Sequence, residues 1–238
     1  DTQKNTIRFD GMLEALKESV PGDLILLHGC CHNPTGMDLS IEQWNRIAEF
    51  VEERKLIPFI DLAYQGFAEG LEEDRYGVKV MYERVPELVV TQSCSKNFGL
   101  YRDRVGALSM VAADGPLGEI MDSQVLSAVR TMYSVPPDHG AAVVSKIIND
   151  AELKSEWLAE LSAIRTRLKQ MRKLLVEELY RTAPTKDFSH IERTTGMFCY
   201  LGVSAEQVAL LKQAHGVYLL DSGRINVCGI TESNVQYL

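Results

Sequence analysis

Apolar positions along the chain fall into two patterns: short continuous runs, and longer stretches in which they recur every three or four residues. The continuous runs are Leu24 to His28, Ile57 to Asp61 and Leu88 to Gln92, with a further one from Val105 to Val111. Such runs predict strands covered on both faces. Between the first two lie Ile41, Trp44, Ile47, Ala48 and Val51 at helical spacing, preceded by Ser40 with Gln43 three residues later, which is a capping box. Another helix is predicted near Asp74 to Arg84. Strand and helix in alternation predict an α/β fold, a largely parallel sheet with helices outside it. Ligands in such sheets sit beyond the carboxyl ends of the strands, where His28, Asp61 and Ser93 fall.

Past residue 115 the pattern turns helical. Leu117 to Thr131 reads as one helix, Pro136-Pro137 interrupts, and Asp138 is placed to cap another running to Asn149. From Glu152 to Tyr180 the positions Trp157, Leu161, Ile164, Leu168, Met171 and Leu175 describe a long amphipathic helix, read as a bridge between domains. Beyond Pro184 come a strand near Met197 to Leu201, a helix near Ala205 to Ala214, and short strands at Val217 to Leu220 and Ile225 to Val227, together a small α+β unit. The division that follows is a larger domain over 1–155, and the connecting helix with a smaller C-terminal domain over 156–238.

Composition narrows the function classes. With 45% hydrophobic and 24% charged residues the chain of 238 can bury a sizeable core, and no run approaches membrane-spanning length. A net charge of −8 argues against nucleic acid or an anionic membrane as partner. The cysteines Cys30, Cys31, Cys94, Cys199 and Cys228 are odd in number and contain no C-x-x-C, so they read as reduced, packed thiols of a cytoplasmic protein with no metal site.

The chemistry points to one segment, Ser93-Cys94-Ser95-Lys96-Asn97-Phe98-Gly99-Leu100-Tyr101-Arg102-Asp103-Arg104. A lysine at the exit of a buried strand, between hydroxyl residues and two arginines, suits a Schiff base with an aldehyde cofactor bearing a phosphate, namely pyridoxal 5′-phosphate. Alone the segment would pass for a solvated turn. It is accompanied by His32-Asn33-Pro34-Thr35-Gly36, by Asp61-Leu62-Ala63-Tyr64, and by Ser222-Gly223-Arg224.

These four motifs, in this order and spacing, resemble the class I aminotransferases, and most closely the aspartate and aromatic amino acid branch. The resemblance spans nearly the whole chain and implies a fold-type I pyridoxal-phosphate transferase. Relatives are longer, so the chain looks like a C-terminal portion that lacks the N-terminal part. By that resemblance Lys96 carries the Schiff base and then moves a proton, Asp61 pairs with the pyridine nitrogen, and Tyr64 and Asn33 bond the phenolic oxygen. Ser93, Ser95 and Arg104 hold the phosphate. Arg224 grips the substrate α-carboxylate, with Asn33 beside it, and Arg130 reaches a distal carboxylate in the other subunit of a homodimer. The reaction implied is a ping-pong transfer of an amino group from aspartate or an aromatic amino acid to a 2-oxo acid such as 2-oxoglutarate. Two alternatives stay open: another pyridoxal-phosphate reaction of the β-lyase type, or a catalytically inactive fragment. Trp157 and Trp44 are assigned to packing.

Overall fold

The computed structural model describes residues 5–238. After α1 (Phe9–Leu16), the chain runs through β1 (Leu24–His28), α2 (Ile41–Arg54), β2 (Ile57–Leu62), a 3₁₀ turn at Glu73–Arg75, α3 (Tyr76–Tyr82), β3 (Leu88–Ser93) and β4 (Gly106–Val111). These strands form one sheet in the order β1-β2-β3-β4. The first three are parallel, with His28 opposite Asp61 and Asp61 opposite Thr91. β4 is antiparallel to β3, pairing Ser93 with Gly106. The sheet is therefore mixed, and the reversal brings the chain back beside the end of β3 after the Lys96 loop.

α2 forms as its sequence predicts. Ser40 accepts from Gln43 N–H while the Gln43 side chain accepts from Ser40 N–H, and Trp44, Ile47, Ala48 and Val51 are buried. Ile41 belongs to the same apolar series but stands 64% exposed, one turn too early to reach the sheet. The helix expected from Asp74 to Arg84 is shorter, because Asp74 is occupied otherwise: its two carboxylate oxygens accept from the backbone N–H groups of Gly66, Ala68, Glu69 and Gly70. That ties the loop after β2 and leaves a 3₁₀ turn before α3.

The second half contains α4 (Gly115–Met132), α5 (His139–Asn149), α6 (Ala151–Thr182), α7 (Ser189–Glu192), β5 (Phe198–Tyr200), α8 (Ala205–His215) and β6 (Arg224–Asn226), with a final 3₁₀ turn at Val227–Gly229. Asp138 precedes α5 but makes no side-chain cap, since its own backbone is already helical; Asp150 caps α6 instead, accepting from Glu152 and Leu153 N–H. Of the α6 stripe, Leu161, Leu168, Met171 and Leu175 are buried, whereas Ile164 is exposed. β5 and β6 make an antiparallel pair, Tyr200 opposite Arg224. The segment Val217–Leu220, expected as a strand, is irregular, and Tyr218 and Leu220 point to solvent. Among the described residues its backbone has no neighbouring strand to pair with.

Candidate active site

Three loops that leave the sheet at its carboxyl edge converge, and the β5–β6 pair closes on them. After β1, the turn at 31–36 is held from outside: Asp38 accepts from Cys31 N–H at 2.8 Å and His32 N–H at 2.9 Å, and Thr195 donates its hydroxyl to the same carboxylate at 2.5 Å. The Asn33–Pro34 peptide is cis. Gly36 has φ +69, and any side chain there would collide with the Phe198 carbonyl and Thr194. This close approach lets the first loop touch a strand more than 160 residues later.

Asn33 is the junction. Its Oδ1 accepts from Arg224 at 2.9 Å, and its Nδ2 donates to the Tyr64 hydroxyl at 3.4 Å. The Arg224 guanidinium lies 4.5 Å from the centre of the Phe198 ring, and Phe198 meets Tyr64 edge-on at 6.2 Å. Lys96 stands over the Tyr64 ring with its Nζ 4.4 Å from the centroid. Asp61, opposite His28 in the sheet register, accepts from the Thr91 hydroxyl at 3.4 Å. Residues from four separated motifs thus share one contact network.

Electrostatics follows from partial burial. Desolvation lowers the Lys96 pKa from its ordinary value; Asp61 opposes that effect and Arg104 adds to it. More of the amine is therefore neutral, and nucleophilic, than in an exposed lysine. Burial raises the Tyr64 pKa, against the Asn33 hydrogen bond and the Arg224 charge that favour the phenolate. His32, whose Nδ1 lies 2.8 Å from the Thr35 hydroxyl and whose ring stacks obliquely on His28, has its pKa lowered by burial and then by His28. Both histidines are braces of the first loop.

The remaining predicted residues divide. Ser93 and Ser95 bracket the turn that leads to Lys96, with Ser95 N–H donating to Ser93 Oγ at 3.1 Å. Arg104, at φ +53, is exposed and donates to the Tyr101 carbonyl at 2.9 Å. Its charge reaches Lys96, so the cation is at the rim of the site. Arg130 is exposed in the last turn of α4, and among the described residues no contact joins it to the Asn33–Tyr64–Lys96–Arg224 network. Sequence reasoning missed Asp38 and Phe198. Asp38 lies two residues after the turn it holds, a usual place for a loop-bracing carboxylate, whereas nothing in the local pattern marks Phe198.

One cluster lies apart from this network. The sulfurs of Cys30 and Cys31 and a carboxylate oxygen of Asp74 sit within 4.8 Å of one another. Asp74 already accepts four N–H bonds, and the Cys30 thiol is driven upward in pKa by its hydrogen bond with Cys31 and by burial. A raised Cys30 thiol beside a carboxylate already occupied by four N–H donors is poorly suited to give up its proton to a metal.

The family profile described as aminotransferase class I and II matches residues 1–238. The chain belongs to this family. An aspartate aminotransferase of Haemophilus influenzae is 45% identical over 238 residues, 100% of this chain and 60% of its own length. An aromatic-amino-acid aminotransferase of Pseudomonas aeruginosa is 47% identical over 226 residues, 95% of this chain and 57% of its own. A crystal structure of an aromatic-amino-acid aminotransferase from Burkholderia pseudomallei, covalently bound to pyridoxal phosphate, superposes with a TM-score of 0.97 at 41% identity, covering 100% of this chain and 59% of that one. The chain thus spans about 60% of the length of the relatives it matches. Its sheet and its flanking helices are those of the family fold.

Proposed function

We propose that the chain carries most of the active site of a pyridoxal-phosphate-dependent aminotransferase acting on aspartate or aromatic amino acids. The observation that supports this best is the convergence of Lys96, Tyr64, Asn33 and Arg224, with Asp61 close enough to act on the lysine's charge. The donor set fits the cofactor: a neutral-leaning amine, a carboxylate at a strand end, a phenol paired with an amide, and two serines with an arginine at the rim.

Within that reading Lys96 would hold the cofactor through Nζ and Asp61 would pair with its pyridine nitrogen. Tyr64 and Asn33 would bond its phenolic oxygen, and Ser93, Ser95 and Arg104 would hold its phosphate. Pyridoxal phosphate, when bound, supplies an electron sink for charge that develops at the substrate α-carbon. Arg224 is held by Asn33 and by the Phe198 face in an orientation that offers its planar fork to an α-carboxylate. With the carboxylate fixed there, Lys96 Nζ is the base that takes the α-proton and returns it one position away. A low lysine pKa serves both duties. The second half-reaction, with a 2-oxo acid such as 2-oxoglutarate, runs the same transfers backwards.

The proposed domains are 1–155 for the cofactor-bearing part, and 156–238, which holds most of α6 and the β5–β6 unit, for the smaller one. We place Arg130 in a homodimer, facing the partner's site, because α4 has no buried residue of its own. Five free cysteines fit a reducing, cytoplasmic setting; among the described residues no helix is long and apolar enough to cross a membrane.

The test is the absorbance spectrum of the protein with pyridoxal phosphate, before and after adding aspartate or tyrosine. A band that shifts to that of the amine form of the cofactor, with the 2-oxo acid as product, supports transamination. Elimination products would favour the β-lyase alternative. Binding without a shift would mean that this chain by itself is silent, an outcome compatible with its covering about 60% of its relatives.

A further inference from the structure

α6 touches both loops that carry the central side chains, and it does so along one stripe. Trp157, Leu161, Arg165 and Lys169 recur every four residues on the same face. Leu161 fills the space beneath Gly66, which at φ +97 leaves no room for a side chain, and Arg165 donates to the Gly66 carbonyl at 3.1 Å. Lys169 pairs with Glu69 at 2.7 Å. These three grip the loop that follows Tyr64. Trp157 grips the other loop: its Nε1 donates to the Asn97 carbonyl at 2.6 Å, and its indole stacks on Phe98 with centroids 4.3 Å apart and planes 11° from parallel. Asn97 and Phe98 directly follow Lys96. Asn97 also ties the loops to each other, donating from Nδ2 to the Gln65 carbonyl at 3.3 Å.

We propose that Trp157 is a positioning residue, one that sets the depth and direction of Lys96 by fixing the peptide after it, so that α6 controls the lysine's microenvironment. Trp157 itself touches no reacting atom. An indole N–H bonded to a loop carbonyl and a stacked ring on the next residue together constrain two consecutive residues, which packing alone would not do. The groups that face Lys96 are Asp61 at the end of β2, Tyr64 on the following turn and Arg104 before β4. Replacing Trp157 removes none of the three. Any change in the titration of Lys96 then reports the loop and the water it admits.

The proposal rests on the reading of Lys96 as the reactive lysine, and its test can be separated from that reading. The readout is competitive acylation of Lys96 by acetic anhydride across pH in the 238-residue chain without cofactor, followed by peptide mass spectrometry. In Trp157→Ala, which loses both contacts, the titration midpoint should rise toward that of an ordinary lysine, because water gains access to the amine. Phe98→Leu, which removes only the stack, should raise it less. Trp157→Phe, which retains a ring but not the N–H, should also fall between Trp157→Ala and the wild type. An unchanged midpoint in Trp157→Ala, with only the urea midpoint lowered, would reduce Trp157 to packing and overturn the proposal. If Trp157→Ala does not fold, unchanged midpoints in both Phe98→Leu and Trp157→Phe overturn it equally. Borohydride trapping with pyridoxal phosphate is run in parallel on the wild type. A Lys96 that titrates low but takes no label would sink the aminotransferase reading while leaving the role of Trp157 intact.

Discussion

The two ends of the four-stranded sheet are built differently. β2 and β3, with one face of β1, α2, α3 and the middle of α6, form a closed core in which Ile47, Ile60, Met81 and Leu88 have at most 1% exposure, while the other face of β1, expected to be covered, leaves Leu24 and Leu26 55% and 60% exposed. β4 and α4 carry no buried residue, and Leu108, Ile120, Leu126 and Met132 lie open. The chemistry divides along the same line. Of the groups proposed for the site, Asp61 stands near the end of β2, and Asn33, Tyr64 and Lys96 come from loops braced by the closed side. The long cations Arg104 and Arg130 come from the open side, where a guanidinium can adjust its reach. Placement by packing and placement by reach are two ways to build a site, and they fail differently when perturbed.

The largest expected effect lies at Lys96. Reduction with borohydride after adding pyridoxal phosphate should place the label on Lys96, and Lys96→Ala should lose it completely. Lys146 and Lys154 on the exposed helical surface should take only background label. Equal labelling across the three lysines would remove the distinction between a braced amine and a solvated one.

Second in size is stability. Ile60→Ala, at a fully buried position in β2, should cost about 2 to 5 kcal/mol through lost burial and the cavity left behind. Leu126→Ala on α4 should stay within about 0.5 kcal/mol, since the side chain is 59% exposed. Urea midpoints of both variants decide this. A large loss for Leu126→Ala would mean that α4 is covered in solution, by a second copy or by further chain.

The third prediction concerns selectivity. In a full-length enzyme, Arg130→Ala should lower kcat/KM for aspartate relative to phenylalanine by more than about tenfold, because truncating one partner of an arginine–carboxylate pair commonly costs about 2 to 5 kcal/mol. A parallel loss for both donors would assign Arg130 to the fold.

How much of this was legible beforehand varies with how local its cause is. The bounds of β1 and the start of α2 were read as they stand, since a continuous apolar run and a capping box are complete signals within a dozen positions, but the cover expected on both faces of β1 is found on one only. The strand expected at Val217–Leu220 failed because strand formation needs a partner that a local window does not contain. The motif residues proposed for the site were named by resemblance, but the side chains that brace them were not. Phe198 and Trp157 act through contacts 60 residues away or more, and Asp38 adds to its local bonds one to Thr195, 157 residues on. Trp157 fitted the apolar stripe of α6 so well that its polar end, which bonds the Lys96 loop, left no trace in the pattern.

The smallest expected effect asks how far the firmness of the closed side extends along α6. Near its C-terminal end Tyr180 donates its hydroxyl to Asp187 at 2.9 Å, and Ser189 N–H donates to the same oxygen at 2.8 Å, which folds the chain back into α7. These bonds, that of the Ser189 N–H foremost, pull the Asp187 carboxyl down to about 2, against about 3.9 for an unperturbed aspartate. A carboxylate whose folded pKa is depressed contributes stability above its unfolded pKa and loses it as pH falls through the folded one. The group is fully exposed, so solvent screening keeps the contribution small. Asp187→Asn should therefore lower Tm slightly at neutral pH, by far less than Ile60→Ala, and the gap between variant and wild type should close as pH falls from about 4 toward about 2. Thermal melts at four or five pH values across that window are sufficient. A gap that persists unchanged at the acid end would mean that the carboxylate charge plays no part, and that the turn into α7 is held by the Tyr180–Phe188 ring contact instead.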